Sequence, residues 1–251
     1  MKEKSPEEIF VKELERLFLA AKEKDEFEYV CALMNFSGMG DARALSHIYE
    51  SQELLFQVSE QIKAAKNLNE ATRFFLLLYC HIFEMDEFYN IIGNMLRITL
   101  GERYGVLLYN SPTIKPELKP ANKIDKLASL AKKAKFELLT DTVYSLYSSP
   151  LRNSFFHSSY SLSGENYHIV SGKNFKINGV MTPMASIRDY VIPMTQSTVN
   201  MGGNFFNVLN QARLSYKENK TVIGRLQPDG VKIEIMGHPE NGLSGFRTIN
   251  E

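Results

Sequence analysis

The chain has 251 residues, 44% of them hydrophobic, which is enough to bury one large core or two modest ones. Lysine plus arginine and aspartate plus glutamate each number 29, and this balance excludes polyanion binding by net charge, so any nucleic-acid contact has to be a local patch. Cys31 and Cys80 sit in apolar helical contexts with no metal-ligand spacing and no disulfide framework, as expected in a reducing cytoplasm.

Met1 to Glu8 is charged and lacks the apolar core of a signal peptide, and the greasiest run, Phe74 to Cys80, is too short to cross a bilayer. The expectation is a cytoplasmic protein with no membrane partner. Ser5-Pro6-Glu7-Glu8 starts a helix with a capping hydroxyl, a proline at the first position and acids on the dipole. Ile9, Phe10, Leu14, Leu17, Phe18 and Ala21 follow at helical spacing. A short apolar piece, Phe27 to Phe36, ends in the turn Ser37-Gly38-Met39-Gly40. Asp41 then caps a helix that runs toward Lys66.

Asn69 to Cys80 is apolar almost all round and belongs in the middle of a bundle. It leads through Glu84 into a helix pair carrying Asn94, closed by Gly101-Glu102-Arg103-Tyr104. The prolines at 112, 116 and 120 make the next stretch a loop. From Asn122 one long amphipathic helix is predicted to Leu146. The only marked basic stretch, Lys115 to Lys135, holds seven lysines, among them Lys123, Lys126, Lys132 and Lys133. It reads either as an RNA-backbone track or as the wet face of a helix.

Ser148-Ser149-Pro150 signals a new helix, with Ser149 as cap and Pro150 at its first position. Arg152, Asn153 and His157 fall in its first two turns, and the five-residue step from Arg152 to His157 rotates about 140° around the axis. An imidazole titrates near neutrality, a guanidinium grips phosphate through two N–H bonds, and a helix N-terminus adds a positive dipole end. These are the parts of a metal-free ribonuclease, in which a base takes the ribose 2′-OH proton and a cation holds the charged phosphorane.

Beyond Tyr160 the hydrophobic period changes. Tyr160-Ser161-Leu162, Tyr167 to Val170 and Phe175-Lys176-Ile177 alternate and read as short strands. Thr182-Pro183 opens a helix that Pro193 kinks or breaks, and a further helix spans Thr195 to Tyr216 with Gly202-Gly203 weakening its middle. Thr221 to Leu226 and Val231 to Ile235 form a second hairpin through Pro228-Asp229-Gly230, and the last residues look loosely held.

The run Leu151-Arg152-Asn153-Ser154-Phe155-Phe156-His157 resembles the R-x4–6-H motif of the HEPN superfamily, in its R-N-x3-H form. The helix pair before it, with an acid, a Tyr and then Asn-Met-Leu-Arg-Ile, is similar to segments of HEPN-like proteins. The resemblance implies a mainly α, up-and-down helical bundle with two small β-hairpins, one after the motif helix and one near the C-terminus. One domain is expected: N-terminal helices over 1–66, a HEPN-like core with the motif over 67–160, and hairpins and C-terminal helices over 161–251.

The resemblance further implies a homodimer whose Arg152 and His157 meet across a cleft. The activity it implies is a metal-independent endoribonuclease of a toxin or antiphage defence type, with RNA as substrate and an antitoxin or defence-system partner. Glu84 and Asn94 are candidates to line the cleft. Glu84 would position His157, bind Arg152 or simply face solvent. Asn153 supports its neighbours, and Tyr160 ends the helix and packs.

No cofactor is implied, and His47, His81, His168 and His238 are too scattered to form a zinc site. The rival reading is a noncatalytic HEPN-like dimer that serves as an RNA- or protein-binding scaffold.

Overall fold

The structure, a computed structural model, describes residues 5–35, 43–105, 119–224 and 230–249. The expected turn at 37–40, the cap at Asp41, most of the proline loop and Pro228-Asp229 lie outside the described residues. The fold is mainly helical with a few small antiparallel strand groups. Among the described residues no helix is long and apolar enough to cross a membrane.

Helix α1, Pro6–Lys24, begins as the sequence predicts. Ser5 accepts from the Glu8 N–H at 3.4 Å and Glu8 accepts from the Ser5 N–H at 3.0 Å, a reciprocal capping box. Its Phe10, Leu14 and Leu17 are fully buried. After α2, Glu26–Leu33, and α3, Arg43–Ala64, come α4, Leu68–Glu84, and α5, Asp86–Thr99. The centre of the core is aromatic: Phe88 of α5 lies 6.1 Å from Phe10 and 5.1 Å from Phe205 of a later helix, ring centroid to centroid. Helix α4 is not enclosed on all sides, because Leu77 is exposed and Phe74 and Phe75 are half-buried.

The single helix predicted from Asn122 to Leu146 is two. Helix α6, Pro120–Ala134, stops where Lys135 turns left-handed (φ 62°, ψ 47°), and α7, Glu137–Leu146, starts after it. The cause is tertiary. Arg16 of α1 donates to the Lys135 carbonyl at 3.0 Å and lies 3.8 Å from the centre of the buried Phe136 ring. The Phe136 N–H reaches back to the Ala131 carbonyl at 2.8 Å, closing α6.

Helix α8, Ser149–Phe156, carries the motif. The strands β1, Tyr160–Ser163, β2, Asn166–Ile169, and β5, Met184–Ser186, form an antiparallel sheet in the order β1-β2-β5. Between them in sequence lies a separate hairpin, β3, Phe175–Ile177, and β4, Val180–Thr182. Thr182-Pro183 therefore joins two strands and starts no helix.

The helix start is Ser186, whose hydroxyl accepts from the Asp189 N–H at 3.1 Å. Pro193 does not end the helix it sits in. One π-turn, Ile187–Val191, runs into α9, Ile192–Leu214, and this wider turn relieves the clash between the proline ring and the preceding turn.

The C-terminal residues are ordered into a strand that the sequence pattern did not reveal. Strands β6, Lys220–Gly224, β7, Val231–His238, and β8, Gly242–Thr248, make a three-stranded antiparallel sheet. It rests on α2, with Phe27 and Phe246 meeting edge to face at 5.0 Å and Ile233 buried beside them.

Gly202 answers a packing need. A Cβ there would lie 2.7 Å from Cδ1 of the buried Ile82, so its absence lets α9 seat on α4, whereas a Cβ at Gly203 would meet nothing nearer than 3.9 Å. Thermal or urea unfolding is expected to show Gly202→Ala destabilised by about 1–3 kcal/mol through overpacking. Gly203→Ala is expected to gain up to about 1 kcal/mol from helix propensity.

Candidate functional site

Helix α8 has only eight residues, too few to stand alone, and three neighbours hold it. Its cap is Ser148, one residue earlier than predicted, which accepts from the Leu151 N–H at 3.4 Å. The buried Tyr79 of α4 takes the Ser148 N–H on its hydroxyl at 2.7 Å, and Tyr190 of the π-turn lies next to Ser148. Burial pushes the Tyr79 phenol well above its ordinary pKa, so it stays a neutral hydroxyl.

At the other end, the Ser159 N–H reaches the Ser154 carbonyl at 2.8 Å and Ser158 adopts φ 51°, which closes the helix in a Schellman turn. His157 is thus the C-cap residue, just outside the helix. Tyr167 of β2 bonds Ser154 Oγ at 2.8 Å, and Tyr160 stacks on it with centroids 5.1 Å apart. Tyr160 therefore opens β1 and packs, anchoring the end of α8.

Glu84, the last residue of α4, meets Arg152 from 68 positions away in sequence. Its Oε1 accepts from the guanidinium Nε at 2.8 Å and also from Nη2. The same guanidinium donates through Nη1 to Asn153 Oδ1 at 2.9 Å, and Asn153 in turn donates to Ser149 Oγ at 3.2 Å. The Phe156 ring lies one helical turn along, its centre 4.4 Å from Arg152 Cζ. Among the described residues three of the five guanidinium N–H groups are engaged, which leaves one on each Nη.

His157 is exposed, and its imidazole makes no hydrogen bond or ion pair among the described residues. Behind the pair, Cys80 is buried and its thiol is pushed up to about 12, chiefly by desolvation, so it has no thiolate to offer.

The other candidates divide. Asn94 does not join Arg152: it is buried, and its amide donates to the Asn90 and Gly105 carbonyls at 3.0 and 3.1 Å and accepts from the Gly105 N–H at 2.9 Å. It ties down the chain after α5 and lines no cleft. Lys123 is not part of a basic track either. It is 6% exposed, pairs with Asp86 at 2.7 Å and donates to the Glu84 carbonyl at 3.2 Å. The apolar face of α6 carries it inward, and only its neighbours keep the predicted wet face: Lys126 is half-buried beside Arg97 and Glu102, and Lys132 and Lys133 are exposed.

Glu84 also borders an open depression of about 670 Å³ lined by His47, Glu50, Ser51, Leu54, His81, Met85, Asp86 and Glu87. Among the described residues no group of three or more His, Cys, Asp or Glu side chains is placed to hold a metal ion. Sequence reasoning missed Tyr79 and Phe156: both read as plain apolar positions, and only their three-dimensional neighbours give them a role. No protein-family model, curated protein or solved structure matches the chain.

In urea unfolding, Lys123→Ala is expected to cost about 1–3 kcal/mol by removing the donor to the Glu84 carbonyl and the packing of its own buried stem, whereas Lys132→Ala and Lys133→Ala stay within about 0.5 kcal/mol. Burial holds the His81 pKa below its ordinary value, with Glu87 opposing, and His81 Nε2 is buried without a partner among the described residues. The unfolded chain thus binds this proton more readily than the folded one. Stability from this residue is complete above about pH 6.5 and falls as pH drops through that value, a slope that His81→Gln is expected to flatten in pH-dependent melts.

Proposed function

We propose that the protein is a HEPN-like, metal-independent endoribonuclease acting as a homodimer. The observation that carries the reading is the partly buried Arg152 guanidinium, oriented by Glu84 and Asn153 with one N–H on each Nη unengaged among the described residues, on the same short helix that ends at the exposed His157. In the reaction, neutral His157 removes the 2′-OH proton and the 2′-oxygen attacks the adjacent phosphorus. The P–O5′ bond breaks, and the 5′-oxygen takes a proton from the protonated His157 of a second copy. Arg152 compensates the charge that builds on the phosphorane oxygens.

A second histidine, from the partner copy, lets one imidazole act as base while the other acts as acid in the same displacement, which is the physical reason for a dimer. The Glu84 carboxylate neutralises part of the guanidinium charge, so its part is to orient Arg152. Toxin or defence duty, with an antitoxin-type partner, belongs to this same reading.

Cleavage of single-stranded RNA is expected to survive EDTA and to yield a 2′,3′-cyclic phosphate and a 5′-hydroxyl. A 2′-deoxy nucleotide at the scissile position is expected to block it. His157→Ala should slow cleavage by about 10²–10⁴-fold in a gel assay. RNA bound but uncut by the parent protein would favour the scaffold reading, and an unimpaired His157→Ala variant would sink the catalytic assignment.

A further inference from the structure

We propose that Phe156 is a base-stacking subsite for the unpaired RNA strand. The inference rests on the ribonuclease reading and adds a binding residue to it. Two successive phenylalanines end α8 and point to different fates. Phe155 turns inward, 5.5 Å from Tyr160, while Phe156 remains 52% exposed. Arg152 already lies over the Phe156 ring at 4.4 Å, so the remaining exposure falls on the opposite face and the ring edges.

The backbone that carries the ring is held in place. The helix ends in the Schellman turn at Ser158, and the stacked Tyr160 and Tyr167 pack against that end of it. An aromatic side chain with two rotatable bonds on a fixed backbone loses little entropy when it receives a ligand. At about 100° per residue Phe156 falls roughly 40° around the helix from Arg152, on the way to His157 at the C-cap, so a base stacked on it would belong to a nucleotide next to the scissile step. Every unpaired base has such a face to offer, whereas an A-form duplex keeps its bases stacked on each other and its major groove too deep for side chains.

The protein contains no tryptophan, so Phe156→Trp places the sole indole at the subsite. The probe is a short single-stranded 2′-O-methyl oligoribonucleotide, which lacks the nucleophilic 2′-OH and is not cut. It is expected to quench the indole emission on titration, and the same strand annealed to its complement is not. By fluorescence anisotropy, Phe156→Ala should bind the single strand roughly 5- to 150-fold more weakly, the range that base–aromatic stacking commands. Leu138→Ala, which removes an exposed apolar side chain (58%) on α7, should bind like the parent.

Unchanged affinity of Phe156→Ala, or equal quenching by the duplex, would overturn the proposal. So would a Phe156→Ala variant that changes only the sedimenting mass, since the ring would then be covered by a second copy. Stacking without cleavage of ordinary RNA would remove the ribonuclease reading alone, and cleavage without stacking would remove this one alone.

Discussion

The ion pair between Glu84 and Arg152 is the constraint on which the site depends. It joins the end of α4 to the first turns of α8, two elements 68 residues apart, and it does so at partial burial, with the side chains 31% and 17% exposed. At such exposure the pair adds little net stability, because desolvation offsets much of the attraction. What it supplies is direction. A guanidinium on a long flexible stem has many rotamers, and carboxylate, amide and aromatic ring together select one of them.

Stability of the same region comes from apolar and neutral polar contacts instead. Tyr79 is fully buried, yet its hydroxyl satisfies the Ser148 N–H, which would otherwise be left without a partner on packing α8 against α4. The short sheet does the matching work at the far end through Tyr160 and Tyr167. An eight-residue helix is thereby held at both ends by tyrosines, with its polar turn left facing outward.

Charge at the surface shows how location changes the meaning of a residue type. Lys123 belongs to the basic stretch in sequence, but the helical period turns it into the seam between α5 and α6, where it neutralises Asp86 and braces the carbonyl of Glu84. Its distance from solvent makes it a structural lysine. Lys132 and Lys133, in the last turn of the same helix, remain in water and favour the negative end of the dipole.

The local code determined much by itself. Capping chemistry at Ser5, apolar periodicity in α1 and α9, the change of period after Tyr160 and the pairing of β6 with β7 are interactions between near neighbours, and near neighbours can be read in order along a chain. The residue types at Arg152 and His157 were legible from chemical type, whereas Glu84 stood with three readings open until its contact with Arg152, 68 positions away, chose among them. What only the tertiary structure decided involves contacts between distant segments: the left-handed break at Lys135 under Arg16, the continuity of α9 through Pro193, the added strand β8, the inward turn of Lys123 and the diversion of Asn94 to Gly105. These depend on which surfaces meet, and side-chain spacing along one segment carries no record of what will be packed against it.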